Sequence, residues 1–140
     1  MSFFGNIISK EGGAAKYNTV PVPTAGTIIG GHDWHPDAST QRMVVVTSGG
    51  FALKDNGAGD FATVLRSGLD TTITPVFVSG GQETLAASKK LFMFSGTGSL
   101  LVLTGDGSSF VAVATPPADW TGANHPNCGC IHDGRMWAAL

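Results

Sequence analysis

Hydrophobic positions in this chain come in short runs, each three to six residues long and most of them followed within a few residues by glycine or aspartate. Runs of β-branched and aromatic residues broken by turn formers predict strands. They fall at residues 27–29, 42–47, 51–54, 61–65, 73–78, 91–95, 100–104, 110–114, 128–132 and 135–139. Only Gln82 to Lys90 combines good helix formers, and two turns of helix do not stand without packing. The pattern predicts an all-β protein.

The runs repeat. Arg42-Met43-Val44-Val45-Val46-Thr47 returns as Lys90-Leu91-Phe92-Met93-Phe94-Ser95, displaced by 48 positions. The correspondence continues from Phe51-Ala52-Leu53 to Leu101-Val102-Leu103. It runs on from Asp55-Asn56-Gly57 to Gly105-Asp106-Gly107, and from Phe61-Ala62-Thr63-Val64 to Phe110-Val111-Ala112-Val113. A third copy opens at Arg135-Met136-Trp137. A further extended segment precedes each basic-plus-apolar run, so each copy holds about four strands.

A period of about 40 to 50 residues with four strands per copy is the signature of β-propeller blades, which bury both faces against their neighbours. The expected architecture is therefore two full propeller-like blades of about four antiparallel strands and the start of a third. A closed propeller takes four to eight blades. Ala138-Ala139-Leu140 reads as falling within the first strand of a blade, so the ring is expected to be completed by more of the same polypeptide or by other chains. Residues 1–22, with Gly12, Gly13, Pro21 and Pro23 in or beside them, read as an extended N-terminal arm, and residues 23–140 as the incomplete propeller-like domain.

Composition narrows the function. Charged residues make up 13% of the 140-residue chain, and a net charge of −2 with singly scattered basic residues gives no footprint for a phosphate backbone, so no nucleic-acid binding is expected. No apolar run approaches the roughly 20 residues of a membrane helix, and the N-terminus lacks the basic region of a signal peptide; no membrane association is expected.

Candidate chemistry is sparse. His125, Cys128, Cys130 and His132 are metal ligands by type, but three of them stand two residues apart on one strand face. That spacing gathers poorly around a tetrahedral ion, and small packed side chains are the simpler reading. Adjacent same-face cysteines lie at about the 7 Å limit of a disulfide. His32, Asp33 and His35 could form an acid–base cluster, but the simpler reading is a loop packed on Trp34. Asp55-Asn56-Gly57, Asp106-Gly107 and Asp133-Gly134 read as structural turns rather than calcium loops. No nucleophile elbow, phosphate loop or dinucleotide fingerprint occurs, so neither an enzyme nor a cofactor is expected.

Four stretches, Gly30 to Asp37, Gly59 to Leu65, Thr115 to Trp120 and His132 to Trp137, together resemble N-terminal regions of propeller-containing bacteriophage tail proteins. The resemblance implies a structural virion protein of the nozzle, hub or head-completion type, assembled in the host cytoplasm. Its partners would be portal, adaptor or tail components and copies of itself in a ring. The expected partner contacts are Phe3, Phe4, Ile7 and Ile8, as an apolar segment ordering on a neighbour, and Trp120 in a stiff proline-flanked connection. A carbohydrate-binding propeller, with Trp34, Trp120 and Trp137 as stacking platforms, is the alternative reading. A propeller hydrolase with its catalytic groups elsewhere is a third, without a positive feature.

Overall fold

A computed structural model describes residues 22, 26–81, 88–120 and 123–139. The helix-forming stretch falls largely outside them, and its last residue, Lys90, opens a strand.

The described residues are all-β. Strands β1 (Ile28–Trp34), β2 (Arg42–Thr47), β3 (Phe51–Lys54) and β4 (Thr63–Arg66) form one antiparallel sheet in sequence order. Strands β5 (Val76–Gly80), β6 (Lys90–Phe94), β7 (Leu101–Thr104) and β8 (Val111–Ala112) form a second sheet of the same kind. Strands β9 (Cys128–His132) and β10 (Arg135–Ala139) make a two-stranded hairpin. The two meanders carry the repeat seen in the sequence, with β2 and β6 as its matching strands. The described residues close no ring.

Two boundaries differ from the sequence reading in an informative way. Residues 32–34 were expected in a loop, yet they extend β1, with His32 opposite Val44 and Trp34 opposite Arg42. Asp33 between two histidines imitates a loop, but the ladder to β2 supplies the hydrogen bonds that weak local propensity does not. The run that begins at Arg135 is also the second strand of its sheet rather than the first. It pairs with Cys128–His132 through the turn at Asp133 and Gly134, whose φ angles of 49° and 69° suit a two-residue hairpin.

Side chains alternate along β2 and β6, and that alternation stacks the sheets. On β2, Val44 and Val46 face forward and pack with Trp34, Ala52 and Leu65 against Leu91, Met93, Leu101, Leu103 and Phe110 of the second sheet. Met43 and Val45 face backward with Phe51, Leu53 and Phe61, where Val22 packs on them. The second sheet shows the same parity: Leu91 and Met93 face the first sheet, and Phe94 faces the hairpin, where Gly129 lies against its ring. Burying one medium-to-large aliphatic or aromatic side chain contributes about 1.5–3 kcal/mol, so the ten-residue cluster between the sheets is the main source of stability.

Candidate functional site

The densest polar arrangement lies where the first sheet grips the loop after β7. The Trp34 side chain is fully buried and its Nε1 donates to the Gly105 carbonyl at 3.1 Å. Lys54 is 6% exposed, and its ammonium donates to Asp106 Oδ1 at 2.6 Å, to the Asp106 carbonyl at 3.0 Å and to the Gly107 carbonyl at 2.8 Å. Those acceptors match its three N–H donors, which is the condition for burying a lysine without a large penalty. Arg42 adds a second cation to Asp106 Oδ2 at 3.0 Å. Partial burial works against the Asp106 carboxylate, but the hydrogen bonds from Lys54 and Arg42 outweigh it and hold the group below its ordinary 3.8.

This arrangement is a clasp between sheets. It turns Asp106, read from the sequence as part of a turn, into an inter-sheet anchor. Asp55 likewise does more than turn the chain: its buried carboxylate accepts from the Met43 amide at 2.8 Å and the Gly57 amide at 3.1 Å, sealing the end of β2.

The histidine cluster divides across β1. Asp33 and His35 approach at 3.3 Å on the exposed side, where Gln41 donates to both Asp33 oxygens at 2.9 Å. His32 points the other way and stacks on Phe77 at 5.8 Å. Burial lowers its pKa, with Asp33 opposing and His35 reinforcing that shift. Such a neutral imidazole is a packing residue, and its Nε2 has no hydrogen-bond partner in the protein. Among the described residues, no group of three or more histidine, cysteine, aspartate or glutamate side chains converges as a metal site would require.

The front of the hairpin is different in kind. Cys128, Cys130, Trp137 and Ala139 share its outer face, as the pairs Trp137–Cys130 and Ala139–Cys128 dictate, and line a hollow of about 340 Å³. Both cysteines are free and exposed, and Trp137 is 57% exposed. A second concavity, about 240 Å³ with Arg66, Asp70, Ser95 and Leu101 in its wall, lies between the two meanders and is mixed in polarity.

Phe3, Phe4, Ile7 and Ile8 lie outside the described residues. Trp120 ends a short 3₁₀ turn (Ala118–Trp120) on the connection from β8 to β9 and is half-buried. Of the three indoles weighed for sugar stacking, Trp34 is in a strand and inaccessible, not in a loop. Sequence reasoning weighed Trp137 as a sugar-stacking platform but did not place Cys128 and Cys130 beside it on one exposed face. The signal was present, because Trp137 stands where Val44 and Phe92 stand in the earlier copies, and that position faces the next sheet.

No family model, curated protein or solved structure matches the chain.

Proposed function

We propose that the chain is a structural module of propeller-like blades that works through protein–protein interfaces, in the role of a bacteriophage tail or connector component. One observation carries the reading: the two four-stranded meanders stack forward face to rear face, and the hairpin of β9 and β10 packs on the forward face of the second in the same way. An exposed indole and two thiols beside small apolar residues suit contact with another protein. The polar groups with defined geometry, Trp34, Arg42, Lys54 and Asp106, hold sheets together instead of facing a substrate.

The test is the mass of the native assembly, measured with the intact mass of the polypeptide taken from it. A ring of many subunits, or a much longer polypeptide of stacked meanders, supports the reading; a lone monomer of 14.4 kDa ends it.

A carbohydrate-binding module is the second reading, favoured by the exposed Trp137 above the hollow. A glycan array separates the two: glycan binding that disappears in Trp137→Ala selects the second.

A further inference from the structure

The hollow of about 240 Å³ between the two meanders is walled by residues 66 to 112 alone, which belong to the two four-stranded sheets and their connections. Its cation is aimed by a break in strand pairing. Val64 stands opposite Leu53 and Arg66 opposite Ala52, so Leu65 is an extra residue in β4, a β-bulge. Residues directly opposite in an antiparallel pair point to the same side, and Ala52 packs into the cluster between the sheets; Arg66 is therefore turned toward the second sheet. Lys54 faces the same way and is matched by Asp106. Arg66 has no such match, for its side chain forms no ion pair or hydrogen bond among the described residues.

The facing wall holds a second unmatched group. Ser95 is 6% exposed, continues the parity of Leu91 and Met93 toward the first sheet, and lines the hollow. Its hydroxyl lies beside Gly98, another wall residue, where a Cβ would meet Ser95 Oγ at 3.6 Å. No described residue hydrogen-bonds to that hydroxyl. A polar group set so deep normally has a partner, and the space left for one is the hollow.

Asp70 braces the rim. Its carboxylate accepts from the Thr72 amide at 2.9 Å and the Thr72 hydroxyl at 2.7 Å, and from the Thr97 hydroxyl across the gap. The last bond ties the β4–β5 connection to the β6–β7 turn. Three bonds leave the carboxylate about one of its roughly four acceptor positions. Leu101 and Ala112, paired across β7 and β8, supply an apolar floor.

We infer that this hollow binds a carboxylate that also carries hydroxyl groups, the chemistry of a uronic acid. Arg66 receives the ligand carboxylate through parallel N–H donors, and Ser95 donates to the same group. A ligand hydroxyl donates to Asp70, and the carbon skeleton lies on Leu101 and Ala112. A bare inorganic anion fits less well, because it meets the Asp70 charge and leaves the floor uncovered. A neutral sugar leaves Arg66 without a counter-charge. Binding here is independent of the structural role proposed above.

The probes are galacturonate and trigalacturonate, titrated into the isotope-labelled full chain and followed by its amide resonances. Saturable shifts are expected at Arg66, Leu69 and Ser95 to Ser99 with either probe. Tighter binding of trigalacturonate assigns the site to a chain of acidic sugars, and equal binding to the free acid. Glucose, acetate and inorganic phosphate, each lacking part of the chemistry, are expected to bind more weakly by roughly tenfold. Arg66→Gln, at an exposed position, should weaken galacturonate by roughly tenfold and abolish its advantage over glucose; Ser95→Ala should weaken it by roughly fivefold. Absence of saturable shifts at these amides, binding of glucose, acetate or phosphate as tight as that of galacturonate, or galacturonate binding unchanged in Arg66→Gln overturns the site. None of these outcomes alters the native mass that tests the structural role itself.

Discussion

The boundary between the two meanders and the boundary between the second meander and the hairpin are built from the same repeat, yet only the first is sealed. At the first, ten buried side chains meet and a buried lysine is matched donor for acceptor. At the second, a phenylalanine rests on a glycine and an isoleucine covers another glycine, while Val102 and Val111 stay open. The residues on the second meander are no less apolar. Burial at the first boundary comes from the second and third strands of the following sheet, through Leu91, Met93, Leu101 and Leu103, together with Phe110 just before its fourth strand.

The largest effect is expected from removing the plug of the sealed boundary. Trp34→Ala deletes a fully buried indole and leaves the Gly105 carbonyl without its donor. A loss of about 3–5 kcal/mol is expected in urea unfolding, and a loss under about 1 kcal/mol would mean that the first boundary is not the stronger one. Lys54→Met keeps the apolar stem and removes the ammonium from three acceptors. Because Asp106 retains Arg42 and is partly solvated, the expected loss is smaller, about 1–3 kcal/mol, and a double-mutant cycle with Asp106→Asn isolates the pair.

Acidification sharpens the contrast through the same clasp. The folded Asp106 pKa lies below 3.8, so its contribution is complete above that value and disappears as pH falls through the folded pKa. Asp106→Asn should flatten the acid limb of a stability–pH curve by a modest amount, since water screens the exposed side of the group. His32 acts in a separate window. Its folded pKa lies below 6.5, so the unfolded chain binds the extra proton and stability declines as pH falls through 6.5; His32→Phe should remove that slope. Smallest of all is the effect at the open boundary. Trp137→Ala should change the stability of the isolated chain by less than about 0.5 kcal/mol, because a 57% exposed ring has little burial to lose.

The sequence-level reading of β2, β3, β9 and β10 agrees residue for residue with the structure, because turn formers bound those runs: Ser48-Gly49-Gly50 between β2 and β3, Asp55-Asn56-Gly57 after β3, and Asp133-Gly134 between β9 and β10. The repeat was legible for the same reason: equivalent strands need the same alternation to face two neighbours. The last three residues of β1, His32 to Trp34, were not legible, since Asp33 has low strand propensity and the stretch is held by pairing with β2. The clasp was not legible either. Lys54 and Asp106 stand 52 positions apart, and only the stacking of one sheet on the next brings them together. The open face could be read in retrospect from Trp137 at a forward position. The expected contacts Phe3, Phe4, Ile7 and Ile8 have no structural counterpart among the described residues.

The clasp also sets a timetable for synthesis. When Lys54 leaves the ribosome, its oxygen partners on Asp106 and Gly107 do not yet exist, and at about 5–20 residues per second they follow roughly 3–10 seconds later. Throughout that interval the nascent first meander displays an apolar front with an unpaired ammonium and an unpaired indole N–H. The charge keeps that front wet, and a hydrated front is a poor surface for aggregation. The residue that later locks the two sheets together thus guards the first while it waits for the second.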